Sequence, residues 1–308
     1  MGDLCLDLKC VFLLTPVNTQ FNQNKQFMID KVLVTVAGRG LCEEMLNMLL
    51  DIPCFRPSSV TVLHVVPEQI IAEAMSEKLE EGGKILAEAV KSIKIDATKI
   101  NPRLRQGDPK DVVCEIADEE NSDLIIIGSR GLGRLQAILE NSVSQYVFQL
   151  TSRPMLLVKD DIYVKKIKKI MVAVDKSEEA KNSLKLAINF AKDIPSSQLV
   201  LAHVKDSTGK SEELTDPDKD PVLVNAVAEV KRMGISCKSV TAVGKPGSEL
   251  CKLADDNNVD LLVLGSPDRR PSIAKSLIDL DRLLGSSLSD YVRVYANCPV
   301  LLTRNISV

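Results

Sequence analysis

The chain repeats itself. Lys31–Ala37 (KVLVTVA) returns as Lys169–Asp175 (KIMVAVD), displaced by 138 positions. Leu63-His64-Val65 returns as Ala202-His203-Val204, Gly107-Asp-Pro as Gly244-Lys-Pro, and Ser122–Gly128 as Val259–Gly265, at displacements of 137 to 139. Beyond Gly265 the displacement becomes 145, which sets Ser287 on Ser142, Tyr291 on Tyr146 and Pro299 on Pro154. The second copy therefore carries eight extra residues between Gly265 and Ser286. The two histidines of the chain occupy one repeat position. Self-similarity on this scale means two copies of one structural unit, and 308 residues suit two domains of ordinary size.

Within each copy, short β-branched runs alternate with helical patterns. The strands of the first copy are expected at Lys31–Ala37, Ser59–Val65, Pro102–Gln106, Leu124–Ile127 and Met155–Lys159. Those of the second begin near Ile170, Leu199, Ser236, Leu261 and Val300. Alternating strands and helices imply right-handed crossovers, hence an α/β fold of two tandem doubly wound parallel sheets. Ligands in such sheets sit beyond the carboxyl ends of the strands. The apolar run Asp123–Ile127 leads directly into Gly128-Ser-Arg-Gly131, followed after nine residues by Asn141-Ser142. A strand running through a glycine-bearing loop into a helix N-terminus suits an anion, because free N–H groups and the helix dipole favour negative charge.

The spacing G-x2-G-x9-N-S resembles the G-x2-G-x9-G-S nucleotide loop of the universal stress protein family, and the resemblance covers both copies. It implies that an Asp ending the first strand holds the adenosine end of a nucleotide and that the residue after the strand-two histidine lies near the base. It further implies that the loop holds ribose and phosphates, with its final Ser capping a helix that faces phosphate. In the first copy these positions are Val65, Gly128, Gly131, Asn141, Ser142 and Val143, while Ala37 stands in the Asp place. Asn141 replaces the third glycine, and Asn tolerates positive φ and suits a helix cap. Arg130 and Arg134 add charge suited to phosphate. In the second copy the candidates are Asp175, Val204, Gly265, Ser286 and Ser287, but Asp268 replaces the second glycine. The expected ligand is ATP or another adenine nucleotide in the first copy, with Mg2+ arriving on it, and the second site is degenerate. Asp175 alone more often caps the helix that follows than binds a ligand. Asp108 and Ser248 are candidate caps for their helices.

The resemblance also implies pairing of the last strands, Met155–Lys159 and Val300–Arg304, so that the two domains form an internal pseudo-dimer; a homodimer of whole chains is a further expectation. We expect domain 1 over 28–160, a linker over 161–168, domain 2 over 169–308, and a poorly structured extension over 1–27. A net charge of −3, a pI near 5.6 and 3% aromatics without Trp argue against a nucleic-acid surface. No apolar run approaches the length needed to span a bilayer. Eight cysteines without a C-x-x-C pair read as reduced thiols in a cytoplasmic protein. Neither histidine has partners at a catalytic spacing, so no catalytic or metal-binding set is read. Besides nucleotide binding, two other functions fit: an interaction module without nucleotide, and a slow ATP hydrolase.

Overall fold

The computed structural model describes residues 29–129, 142–159, 162, 166–206, 216–267 and 287–304. The described strands of domain 1 are β1 (Lys31–Thr35), β2 (Ser59–Val66), β3 (Ile100–Gln106), β4 (Leu124–Ser129) and β5 (Met155–Lys159). Those of domain 2 are β6 (Lys169–Ala173), β7 (Gln198–Lys205), β8 (Ser236–Val243), β9 (Leu261–Gly265) and β10 (Val300–Thr303). Domain 1 carries helices α1 (Leu41–Leu50), α2 (Ala72–Ser92), α3 (Pro109–Glu119) and α4 (Val143–Leu150). Domain 2 carries α5 (Glu178–Asp193), α6 (Pro221–Arg232), α7 (Pro246–Asp256) and α8 (Leu288–Tyr295).

All ten strands join one sheet in the order β3-β2-β1-β4-β5-β10-β9-β6-β7-β8. Each half is parallel with the order 3-2-1-4-5, so the chain reverses direction across the sheet between β1 and β4, and again between β6 and β9. That crevice at the carboxyl ends is where such sheets take ligands. Val32, Leu33 and Val34 of β1 are all buried, as expected for a parallel strand covered by helices on both faces. β1 stops two residues earlier than its apolar run suggests. The amide of Val36 still bonds to Leu63 O at 2.9 Å, but Gly38 then turns the chain at φ 75°. β3 starts two residues early and tolerates Pro102 because it is an edge strand.

The halves meet where β5 and β10 pair antiparallel, Val300 opposite Leu157 and Leu302 opposite Met155. Two edges that would otherwise template aggregation are thereby closed, and the expected internal pseudo-dimer is formed. The apolar core runs through the seam on both faces of the sheet. Beside the seam, Phe55 of domain 1 meets Phe190 of domain 2 edge to face, ring centroids 6.4 Å apart. Each seam strand ends in a buried cation that crosses over. Lys159 Nζ donates to Val294 O at 2.8 Å and Ala296 O at 2.5 Å, at the end of α8. Arg304, at the same repeat position and 1% exposed, lies over the Phe148 ring at 4.2 Å and donates to Phe148 O in α4. Each grips carbonyls left open at a helix C-terminus, where positive charge is favoured.

Among the described residues no helix is long and apolar enough to cross a membrane. The six described cysteines are free thiols; Cys42, Cys251 and Cys298 are buried, whereas Cys54 is exposed. Burial pushes the Cys251 and Cys298 thiols up to about 12, so neither ionises at neutral pH. The expected extension at 1–27 lies outside the described residues, as does half of the linker.

Candidate functional site

At the carboxyl end of domain 1, β2, β1 and β4 stand side by side, and their exits share one edge of the sheet. β1 releases into Ala37-Gly38-Arg39, all exposed, with positive φ at Gly38 and Gly40. Both left-handed positions favour glycine, which explains the G-x-G spacing of this turn. Gly40 begins α1 without a side-chain cap. Glu43, buried in the first turn, has its carboxyl pushed up by burial, while the amides of Glu43 and Cys42 pull it back down. His64 Nδ1 lies 2.8 Å from Val36 O, a structural contact that ties β2 to the end of β1. β4 exits at Gly128, exposed, and among the described residues a Cβ placed there would meet only Cys42 Sγ of α1, at 3.6 Å. Ser142 caps α4, its Oγ accepting from Gln145 N at 3.2 Å. Val65 and Val143 are half-buried against the same core cluster. The fold thus brings Val65, Gly128, Ser142 and Val143 to one end of the sheet. Gly131 and Asn141, with Arg130 and Arg134, lie outside the described residues.

Domain 2 builds the same corner differently. Asp175 is exposed and its Oδ1 accepts from Ser177 N at 2.7 Å, while Ser177 Oγ caps α5 by accepting from Ala180 N at 3.1 Å. The carboxylate bonds the amide of the cap residue, so the cap expected of Asp175 is supplied by Ser177 instead. Gly265 is wedged against that helix: a Cβ there would stand 2.5 Å from the carbonyl carbon of Glu179. Ser266 is buried, donates its amide to Thr303 O at 2.9 Å and shares a hydrogen bond with Ser289 at 3.1 Å. Arg304 donates to Ser266 Oγ at 3.4 Å and to Pro267 O, so the exit of β9 is pinned to the seam. Ser287 caps α8 as expected, accepting from Asp290 N at 3.2 Å, and it also donates to Asp290 Oδ2 at 2.6 Å. The buried Asp290 carboxylate lies in the first turn of α8, where the helix dipole favours an anion. At the matching position α4 carries the neutral Gln145. Val204 is half-buried against the core, and Ser286, Asp268 and the eight-residue insertion lie outside the described residues.

Sequence reasoning missed two features. His203 Nδ1 lies 2.8 Å from Asp220 Oδ2, and the fully buried Asp220 also caps α6 through Val222 N and Leu223 N. Burial pushes the Asp220 carboxyl up, but the His203 hydrogen bond, the Leu223 amide, the His203 charge and the Val222 amide outweigh it and hold it below the usual carboxylate range. The signal was Asp220-Pro221, a cap residue before a proline at the first helical position. The other feature is the pair of seam cations, visible as Lys159 and Arg304 at one repeat position. Of the two proposed caps, Asp108 serves, accepting from Lys110 N at 2.9 Å, and Ser248 does not, because it lies inside α7. No group of three or more potential metal ligands occurs among the described residues.

A tandem doubly wound sheet with a glycine exit and a serine-capped helix at the switch point defines a class of α/β ligand-binding scaffolds. Within that class, the sequence profile of the universal stress protein family matches residues 28–159 and again 166–304, and the chain belongs to that family. Universal stress protein YxiE of Bacillus subtilis (strain 168) is 28% identical over 148 residues, 43% of this chain and all of that protein. Universal stress protein MJ0531 of Methanocaldococcus jannaschii is 28% identical over 149 residues, 44% of this chain and 86% of that protein. The crystal structure of a universal stress protein from Archaeoglobus fulgidus DSM 4304 shares the fold with a TM-score of 0.70 and 22% identity, covering 90% of this chain and 97% of that one.

Proposed function

We propose that domain 1 binds ATP or another adenine nucleotide at the exits of β1, β2 and β4, and that the chain acts as a ligand-dependent regulatory or protective protein of the cytoplasm. The observation that carries the reading is the open exit of β4. Gly128 is exposed, has only a thiol at van der Waals distance among the described residues, and shares its edge of the sheet with a serine-capped helix whose first turn holds no carboxylate of its own. Phosphate would meet the amides at the start of α4 and the loop that follows Gly128, the base would lie by Val65, and Mg2+ would arrive with the nucleotide. Domain 2 is a packing partner in this reading, with the corresponding place filled by Asp290 and Arg304.

Isothermal titration with ATP is expected to show one site per chain, and Gly131→Asp, which places a negative charge in the loop, is expected to abolish it. Unchanged binding in that variant would remove the site from domain 1. One feature favours a second reading, an interaction module without nucleotide: the exposed Ala37 offers no acceptor at the end of β1. Absence of both heat and thermal stabilisation with ATP would establish that alternative.

A further inference from the structure

The two histidines fix the height of the helices above the sheet. In domain 2, His203 meets Asp220, the residue that begins α6. In domain 1, His64 meets the middle of α2, because a Cβ on Gly82 would stand 2.9 Å from the His64 ring. Ten residues of α2, Ala72 to Glu81, therefore precede that level, about 15 Å of helix at 1.5 Å per residue, and β2 ends only two residues above His64, at Val66. Among the described residues of domain 2, α6 begins at that level and has no such overhang.

The direction of the overhang follows from two contacts. Gly82 faces His64, Val66 and Leu104, and Ile85 faces the β1 exit, with its Cγ1 3.3 Å from where a Cβ on Gly38 would stand. Residues three, four and seven positions earlier share that helix face. Lys78 precedes Gly82 by four positions and Ile85 by seven, and Glu81 precedes Ile85 by four. The pair stands one turn above Gly38 and His64, over the exits of β1 and β2. Lys78 Nζ and Glu81 Oε2 are 2.7 Å apart, and both side chains are more than half exposed. The His64 ring adds to the field of Lys78 at Glu81. Of the other carboxylates of this end, Glu43 is buried in the first turn of its own helix and Asp108 caps α3.

A nucleoside presents hydroxyl and amino donors that need acceptors. The β1 exit supplies none from a side chain, since Ala37 and Gly38 stand there. We propose that Glu81, projecting from the overhang of α2, is the carboxylate that receives the donors of the nucleoside moiety in domain 1, with Lys78 orienting it. This rests on the reading that domain 1 binds an adenine nucleotide. It explains how the site dispenses with a carboxylate on β1, and it predicts recognition from a helix overhang that the described residues of domain 2 do not match.

The test is a set of titrations with ATP on the full chain, wild type against Glu81→Gln, with Glu80→Gln as control. Glu80 pairs with Lys84 on the exposed side of the same helix. Glu81→Gln is expected to weaken ATP roughly tenfold, the effect of losing a charged hydrogen-bond acceptor, with thermal unfolding unchanged because the side chain is exposed. Competition by inorganic tripolyphosphate, which has no nucleoside, is expected to be equal in wild type and variant. Glu80→Gln is expected to bind as wild type. Equal ATP affinity in wild type and Glu81→Gln overturns this proposal and leaves the site reading intact. A wild-type protein that binds no adenine nucleotide overturns both.

Discussion

In domain 1 the glycine at the exit of β4, Gly128, is exposed, with a thiol at ordinary contact distance; in domain 2 the matching glycine lies against the backbone of the helix that starts after β6. In domain 1 the helix after the loop begins Val143-Ser144-Gln145; in domain 2 it begins Leu288-Ser289-Asp290, and the buried carboxylate of Asp290 bonds the Ser287 cap. Strand order, serine caps and the position of the histidine are common to both. The difference teaches that a duplicated α/β unit can keep its scaffold in both copies while the glycine at one strand exit is packed against a helix backbone and its counterpart, among the described residues, is not. In domain 2, Asp290 and Arg304 at this corner serve packing and the seam.

The largest effect is expected at the seam. Arg304→Ala removes a buried cation, its stacking on Phe148 and the donors to Phe148 O and Pro267 O. Unpaired carbonyls and a cavity together cost about 4 kcal/mol, read as a lowered midpoint in urea unfolding. Lys159→Ala at the pseudo-symmetric position is expected to cost less, since it strips two hydrogen bonds from the end of α8, whereas Arg304→Ala also loses the stacking on Phe148. A loss at Lys159 larger than at Arg304 would mean that domain 2 does not lean on the seam as described.

Next comes the packed glycine. Gly265→Ala puts a Cβ 2.5 Å from the carbonyl carbon of Glu179, which only a shift of α5 or β9 can relieve. Overpacking of this kind costs about 2–3 kcal/mol. Circular dichroism melts would show it, and an unaltered melt would break the contrast between the two domains at its central point.

Much of this arrangement was legible from the repeat. Ten strands in two matched sets follow from period and displacement, because buried parallel strands are β-branched runs that cannot be mistaken for amphipathic helices when they recur twice. The serine caps at Ser142 and Ser287 follow from the same alignment. The packing of Gly265 was not legible, since nothing in a glycine reports which backbone approaches it. Nor was the overhang of α2, because helix length shows in a sequence and its height above a sheet does not. Gln145 against Asp290 was visible as two letters, but their roles depend on a helix start that only the fold supplies.

Asp220 separates the histidines. Asp220→Ala removes the cap of α6 and the partner of His203, and is expected to cost about 2 kcal/mol at neutral pH; domain 1 has no such carboxylate to lose, because His64 bonds the backbone. The folded state holds the Asp220 carboxyl below its ordinary value of 3.8. Its contribution is therefore complete above the ordinary carboxylate range and is lost as pH falls through the depressed value. Denaturation of wild type and variant at a series of pH values is expected to show a gap that is constant near neutrality and closes in acid. A gap that widens in acid would contradict the assignment.

The smallest expected effect is the most discriminating. Gly128 sits where a Cβ meets Cys42 Sγ at 3.6 Å, an ordinary contact, and its φ lies outside the left-handed region. Alanine there narrows the unfolded ensemble without straining the native backbone, so Gly128→Ala is expected to leave stability unchanged or raise it by about 0.5 kcal/mol. The same substitution at Gly265 is expected to cost several times that in the opposite direction. If the two variants melt alike, the corners are equivalent and the asymmetry fails. If stability holds while ATP affinity falls in Gly128→Ala, the methyl group has met a ligand and not the protein, which is the behaviour of a glycine kept for an approach from outside the chain.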